Sequence, residues 1–212
     1  MWTRGELKAK AKSVLKMNYR QTVLVFFLYT LIIGGVGTSL ALTLIGPLII
    51  SVFLGHPMEV GLCHYSLGNR KNEGDLEDLI YAFRPGLGNI IWVSFLKMLI
   101  ITLWFLLFLV PGFIKLYEYR MVYFLLSENP ELCFHQALDR SARMMKGEKW
   151  RVFKLDLSFI GWRLLVFLTL GIAGFLFVKP YIFGTEAELY EALKEKTGIS
   201  GTTDPDKMTV LS

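Results

Sequence analysis

His56, Glu59 and Cys63 fall at i, i+3 and i+7, along one face of a helix, and all three are residue types that ligate metals. Three mixed ligands at one local site fall short of a built centre. A helix end beside Pro57, with its polar groups at a membrane surface, accounts for the same residues, so no metal and no cofactor is expected. A second group is ionisable: Lys97, Glu118, Arg120, Asp156 and Arg163 all sit in apolar surroundings, and a charge at a bilayer centre costs roughly 2.5 to 3.5 kcal/mol. Glu118 stands three residues from Lys115, within pairing reach on a helix, and Asp156 can pair across helices with Arg163 or Arg120. Such pairs either hold helices together or line a path for a proton or solute. None lies in the middle of a long apolar run, which favours structural pairing. Ser13 to Lys16 (SVLK) and Lys196 to Gly198 (KTG) match strings of penicillin-recognising enzymes, but they lie on a lysine-rich helix and in a tail and are chance matches. HExxH, GxSxG, a Walker loop and GxGxxG are all absent. The chain is expected not to be an enzyme.

The third chemistry is electrostatic. Residues 1–20 carry Arg4, Lys8, Lys10, Lys12, Lys16 and Arg20 against Glu6 alone, directly before a hydrophobic run. Residues 135–154 form a second basic block with Arg140, Arg143, Lys146, Lys149, Arg151 and Lys154 against Asp139 and Glu148. Basic residues beside apolar runs mark the cytoplasmic side of a membrane and attract anionic lipid. Arg4, Lys8, Lys12, Lys16, Arg140, Arg143 and Lys146 are therefore expected to meet lipid headgroups. The net charge of +5 comes without a nucleic-acid motif, so nucleic acid is not an expected partner.

The elements that hold these groups follow from charge spacing. The chain has 212 residues, 53% hydrophobic and 19% charged, a composition that excludes intrinsic disorder. From Gln21 to Met58 there is no Asp, Glu, Lys or Arg. One straight helix of that length would measure about 57 Å, nearly twice a bilayer core of roughly 30 Å, so the run must turn back on itself. Breaks are expected at Gly34, Gly35 and Gly37 or at Gly46-Pro47, then at Pro111-Gly112 and near Gly171. The apolar run is longer than a signal peptide's core and reads as an uncleaved anchor. Two cysteines, Cys63 and Cys133, give no disulfide framework.

The fold class is thus all-α: a polytopic α-helical membrane protein with five or six membrane segments in three hairpins, plus amphipathic interfacial helices. Residues 1–195 form one helical membrane domain. Within it 1–19 is an amphipathic basic helix, opened by the capping box Thr3 to Glu6 (TRGE). It either lies apolar face down in the interface or packs on its own domain. Membrane segments are expected at 20–41, 44–66, 89–110, 113–127, 152–170 and 172–190. Between them come a short helix capped by Asp75 and a helix starting at Asn129-Pro130, whose apolar face holds Ala137, Leu138, Ser141 and Met144, with Asp139, Arg140, Arg143 and Lys146 opposite. Three hairpins put both termini in the cytoplasm; a five-span alternative puts the C-terminus outside. Residues 196–212 are polar and expected to be disordered.

The stretch from Ala137 to Tyr181 resembles the domain-of-unknown-function 975 family, integral membrane proteins common in Gram-positive bacteria. The matching pieces are Ser141, the Met145-Lys146-Gly147 turn, Leu157 to Trp162, Thr169 to Ile172 and Pro180-Tyr181. The N-terminal basic helix and Val110-Pro111-Gly112 resemble the same family. The resemblance implies a polytopic protein of the cell membrane and carries no catalytic residue with it. The leading expectation is a non-enzymatic multi-pass protein, N-terminus cytoplasmic, that engages anionic lipids of the bilayer or a membrane protein partner. The alternative is a transporter or channel for a small solute or ion.

Overall fold

The computed structural model describes residues 2–40, 50–83, 86–169 and 174–202, and every regular element among them is helical. Helix α1 (Arg4–Met17) opens on the expected box: the Thr3 hydroxyl accepts from the Glu6 N–H at 3.3 Å and the Glu6 carboxylate accepts from the Thr3 N–H at 3.1 Å. Helix α2 (Tyr19–Leu40) continues through Gly34, Gly35 and Gly37 without the break those glycines suggested, because isolated glycines lower helix propensity by only about 1 kcal/mol each. The Gly46-Pro47 and Gly171 breaks and residues 203–212 of the tail lie outside the described residues. A π-helical turn (Ser51–Gly55) leads into α3 (His56–Arg70), and a 3-10 helix (Leu76–Phe83) folds back across it. Asp75 starts that short helix, its carboxylate accepting from the Leu76 N–H at 2.6 Å.

Helix α4 (Leu87–Leu107) is the one helix among the described residues both long and apolar enough to cross a membrane. It ends at Phe108, whose backbone is extended, and α5 (Leu109–Glu118) begins at once. The chain therefore turns before Pro111-Gly112, not at it. Pro111 falls in the first turn of α5, where no intrahelical partner exists for its missing N–H, so the proline is tolerated there. The expected segment 113–127 is likewise divided, into α5 and α6 (Val122–Glu128). Helix α7 (Phe134–Met144) starts four residues later than Asn129-Pro130 suggested. Asn129 instead accepts from the Glu131 N–H at 3.1 Å, and Asn89 ties the loop by donating to the Pro130 and Leu132 carbonyls at 2.7 and 2.9 Å. The segment 152–170 resolves into α8 (Lys149–Leu157) and α9 (Ile160–Leu168), and a second π-helical turn (Gly174–Val178) runs into α10 (Lys179–Thr197).

These helices form two unlike halves. At one end α1, α6, α7 and the C-terminal halves of α3 and α10 enclose a core in which Leu125, Leu126, Ala187, Leu189 and Leu193 are fully buried. The apolar stripe of α1, Leu7, Ala11 and Leu15, is spent on this core against α10, leaving only the basic face outward. Gly61 lets the 3-10 helix cross α3: a Cβ there would lie on the Leu79 carbonyl oxygen and 2.8 Å from that of Asp78. At the other end the α4–α5 turn and the end of α9 point large apolar side chains outward, Leu106 at 84% and Phe167 at 80% exposure.

The tail begins later than residue 196. Lys196 and Thr197 complete α10, and Ile199, Ser200 and Gly201 are buried, held where Glu128 accepts from the Gly201 N–H at 2.8 Å. Polar composition suggested disorder, but this segment satisfies buried polar groups of α6 and α7.

Candidate functional site

Between the two halves lies a cavity of about 520 Å³ lined by side chains of α3, α4, α5, α6, α8, α9 and α10 and the α5–α6 turn. Its charged lining is Glu59, Lys97, Arg120, Asp156, Arg163 and Glu186, and its walls are mostly aromatic, among them Phe113, Tyr117, Phe153 and Phe183. Arg120 stands in the turn that separates α5 from α6. Ser141 of α7 holds that turn open, its hydroxyl accepting from the Met121 N–H at 3.1 Å and donating to the Glu118 carbonyl at 2.8 Å. From there the Arg120 guanidinium grips Asp156 with two nitrogens, at 2.6 and 2.9 Å, and Glu186 at 2.6 Å. Asp156 also accepts from the Tyr117 hydroxyl at 2.8 Å. A planar fork against two carboxylates is geometry that arginine supplies and lysine does not.

Lys97 is placed differently. Against the expectation that no charge sits within a long apolar run, it stands midway along apolar α4, its ammonium 3.6 Å from the centre of the Tyr123 ring, a cation–π arrangement. Glu59 and Glu186 share its cavity, yet among the described residues no carboxylate lies within ion-pair distance of it. Glu59 is 3.6 Å from His56, whose Nδ1 is 2.9 Å from the Tyr123 hydroxyl. Arg163 is exposed at the rim, beside Phe113, Leu116 and Phe153, which are 50%, 44% and 38% exposed. The cavity mouth is therefore apolar as well as basic.

Of the ionisable residues singled out from the sequence, Arg120, Asp156, Arg163 and Lys97 come together here. Glu118 does not; it faces away, paired with Lys115 at 2.7 Å and Lys149 at 3.2 Å. Asp156 is held by Arg120, with Arg163 left outside that pairing. Among the described residues no three His, Cys, Asp or Glu converge as a metal group, and Cys63 is buried while Cys133 is exposed.

The basic surface needs one correction. Arg4, Lys12, Lys16, Arg143 and Lys146 are exposed, Arg143 pairing with Asp139 at 2.9 Å. Arg140 is 2% exposed and donates to the Ser200 and Gly201 carbonyls at 2.8 and 2.9 Å. It borders the stripe of Ala137, Ser141 and Met144, so it falls inside when the chain's end folds over α7, and burial lowers its pKa. Lys8 is partly covered, its ammonium 3.3 Å from the Ser158 carbonyl and 4.1 Å from the Phe159 ring centre, and burial with neighbouring Arg4 lowers its pKa. Arg140, enclosed under the chain's end, does not reach the surface where a headgroup would lie.

The sequence marks Glu59 only as one of three mixed metal-ligating types, and it marks neither Glu186 nor the Arg70–Glu188 bridge at 2.7 Å. Burial pulls the Arg70 pKa down, but the Glu188 hydrogen bond and the charges of Glu188, Glu191 and Glu195 raise it further than that. These pairs join residues far apart in the chain, and no local spacing announces them. The one local signal is that Glu59 closes the uncharged run from Gln21 to Met58.

Residues 110–197 match the model of the family described as "Protein of unknown function (DUF975)". No curated protein and no solved structure matches the chain. Several residues that carry this likeness have structural tasks. Ser141 holds the α5–α6 turn, Gly147 turns the chain at φ +79°, and Trp162 and Tyr181 meet edge to face at a centroid distance of 6.0 Å.

Proposed function

We propose, taking the DUF975 match as premise, that this chain is a non-enzymatic multi-pass protein of the cytoplasmic membrane that engages anionic lipid. The α4–α5 turn and the end of α9 enter the bilayer, and the buried base and the N-terminus stay on the cytoplasmic side. The observation that carries the reading is the separation of surfaces. The α4–α5 turn and the end of α9 expose Leu106, Leu107, Phe108, Leu109, Phe167 and Leu168, while Arg4, Lys12, Lys16 and Lys146 lie on the opposite, polar half. Helix α4, with 21 residues, is about 31 Å long, the thickness of a hydrocarbon core.

The test is reconstitution of the full chain into vesicles with and without phosphatidylglycerol. The expected result is insertion in both, with lateral clustering of phosphatidylglycerol around the protein that weakens with salt. A protein that alkaline carbonate strips from the vesicles would refute it. One observation favours a second reading, a transporter for a small solute or ion: Glu59 lines both the charged cavity and a smaller one of about 280 Å³ beside Tyr29, Ile50 and His56. A solute-dependent flux in the same vesicles, lost in Glu59→Gln, would support that alternative.

A further inference from the structure

We infer that the cavity between the halves is a specific site for the phosphate headgroup of a membrane phospholipid, entering sideways with Lys97 as its anchor. The inference rests on the membrane reading above and goes beyond it, from a diffuse basic surface to one internal site.

Three features lead there. The first is an imbalance of partners. Arg120 has two carboxylates and Asp156 has Arg120 and Tyr117, so this cluster is complete without a ligand. Lys97 has an aromatic ring and no carboxylate within ion-pair distance among the described residues, although it faces the same cavity. An ammonium on an apolar helix is costly unless an anion meets it, and Glu59 and Glu186, which share the cavity, stop short of ion-pair distance from it. The second feature is the rim, where Arg163 adds a second cation that is likewise without an ion pair among the described residues. The third is the route of entry. Phe113, Leu116 and Phe153 line the cavity and are also exposed on the outer apolar surface. A ligand passing them needs an apolar tail to lie against those side chains and an anionic head to reach Lys97, and a phospholipid has both. A free phosphate or sugar phosphate has only the head.

The experiment uses the full-length chain in nanodiscs of phosphatidylcholine with phosphatidylglycerol, released into native mass spectrometry, with Lys97→Met, Lys97→Arg and a Lys12→Gln/Lys16→Gln variant beside the wild type. Wild type is expected to retain one phospholipid through detergent exchange. Lys97→Met should weaken retention about tenfold or more, the usual loss for a charge-assisted contact. Lys97→Arg should restore it, and the Lys12/Lys16 pair should leave it unchanged while reducing bulk phosphatidylglycerol enrichment. Glycerol 3-phosphate, the same head without a tail, should not compete. Undiminished retention in Lys97→Met, with a far-UV spectrum like wild type, would overturn the site and leave the membrane reading standing. Equal competition by glycerol 3-phosphate would overturn the lipid as its source. Failure of the wild type to enter nanodiscs would overturn both readings together.

Discussion

Leu126 and Leu106 are the same side chain in helices of the same bundle, yet Leu126 is wholly enclosed by its neighbours and Leu106 is 84% exposed. The contrast runs through the molecule. Around Leu126 the base is built as a water-soluble domain would be. Its apolar side chains face one core, and its charges are paired: Glu128 with Lys194 at 2.6 Å, Glu148 with Lys196 at 2.6 Å, Arg70 with Glu188. Around Leu106 the helices present apolar groups outward, and no Asp, Glu, Lys or Arg occurs between Lys97 and Lys115 or between Arg163 and Lys179. The same hydrophobic composition serves folding in one half and surroundings in the other. The charged cavity lies at the seam between them.

Breaking the seam should have the largest effect. Arg120→Met leaves Asp156 and Glu186 without their shared cation, and stability in detergent is expected to fall by about 3 to 5 kcal/mol in a denaturant titration. Restoring neutrality with Asp156→Asn and Glu186→Gln in the same chain should recover much of that loss. The two leucines then test the contrast itself. Leu126→Ala should cost about 2 to 5 kcal/mol, whereas Leu106→Ala should stay within about 0.5 kcal/mol in detergent, because nothing in the protein packs around it. Equal losses would mean that the halves are held in the same way. Gly61→Ala drives a methyl into the carbonyls of Asp78 and Leu79 and is expected to cost about 1 to 3 kcal/mol, read as a lowered melting temperature. Smallest are the surface charges: each of Lys12→Gln and Lys16→Gln should weaken association with phosphatidylglycerol vesicles by about 1 kcal/mol at low salt, with stability unchanged.

Much of the helical plan was legible in the sequence because charge-free runs and capping signals are local. The TRGE box predicts the start of α1, and the run from Gln21 to Met58 predicts a turn-back. Prolines and glycines misled where their role depended on position: Pro111 in a first turn starts a helix, and Gly35 inside α2 does not stop one. The sequence pattern sets Arg140 with Asp139, Arg143 and Lys146 on the polar face of α7. The carbonyls of Ser200 and Gly201 that draw it inward lie sixty residues away. The cavity was half legible for the same reason. Arg120 and Asp156 stood out as charges in apolar surroundings, but the convergence of Glu59, Lys97 and Glu186 on them is a property of the assembled hairpins.

The central claim is that the Leu106 half lies in lipid and the base outside it. Single spin labels at position 106 and position 146, in a chain with Cys63 and Cys133 replaced by serine and reconstituted in vesicles, test it through collision with oxygen and with a water-soluble nickel chelate. The account predicts an oxygen-dominated signal at 106 and a nickel-dominated signal at 146. Comparable nickel access at both positions would contradict it.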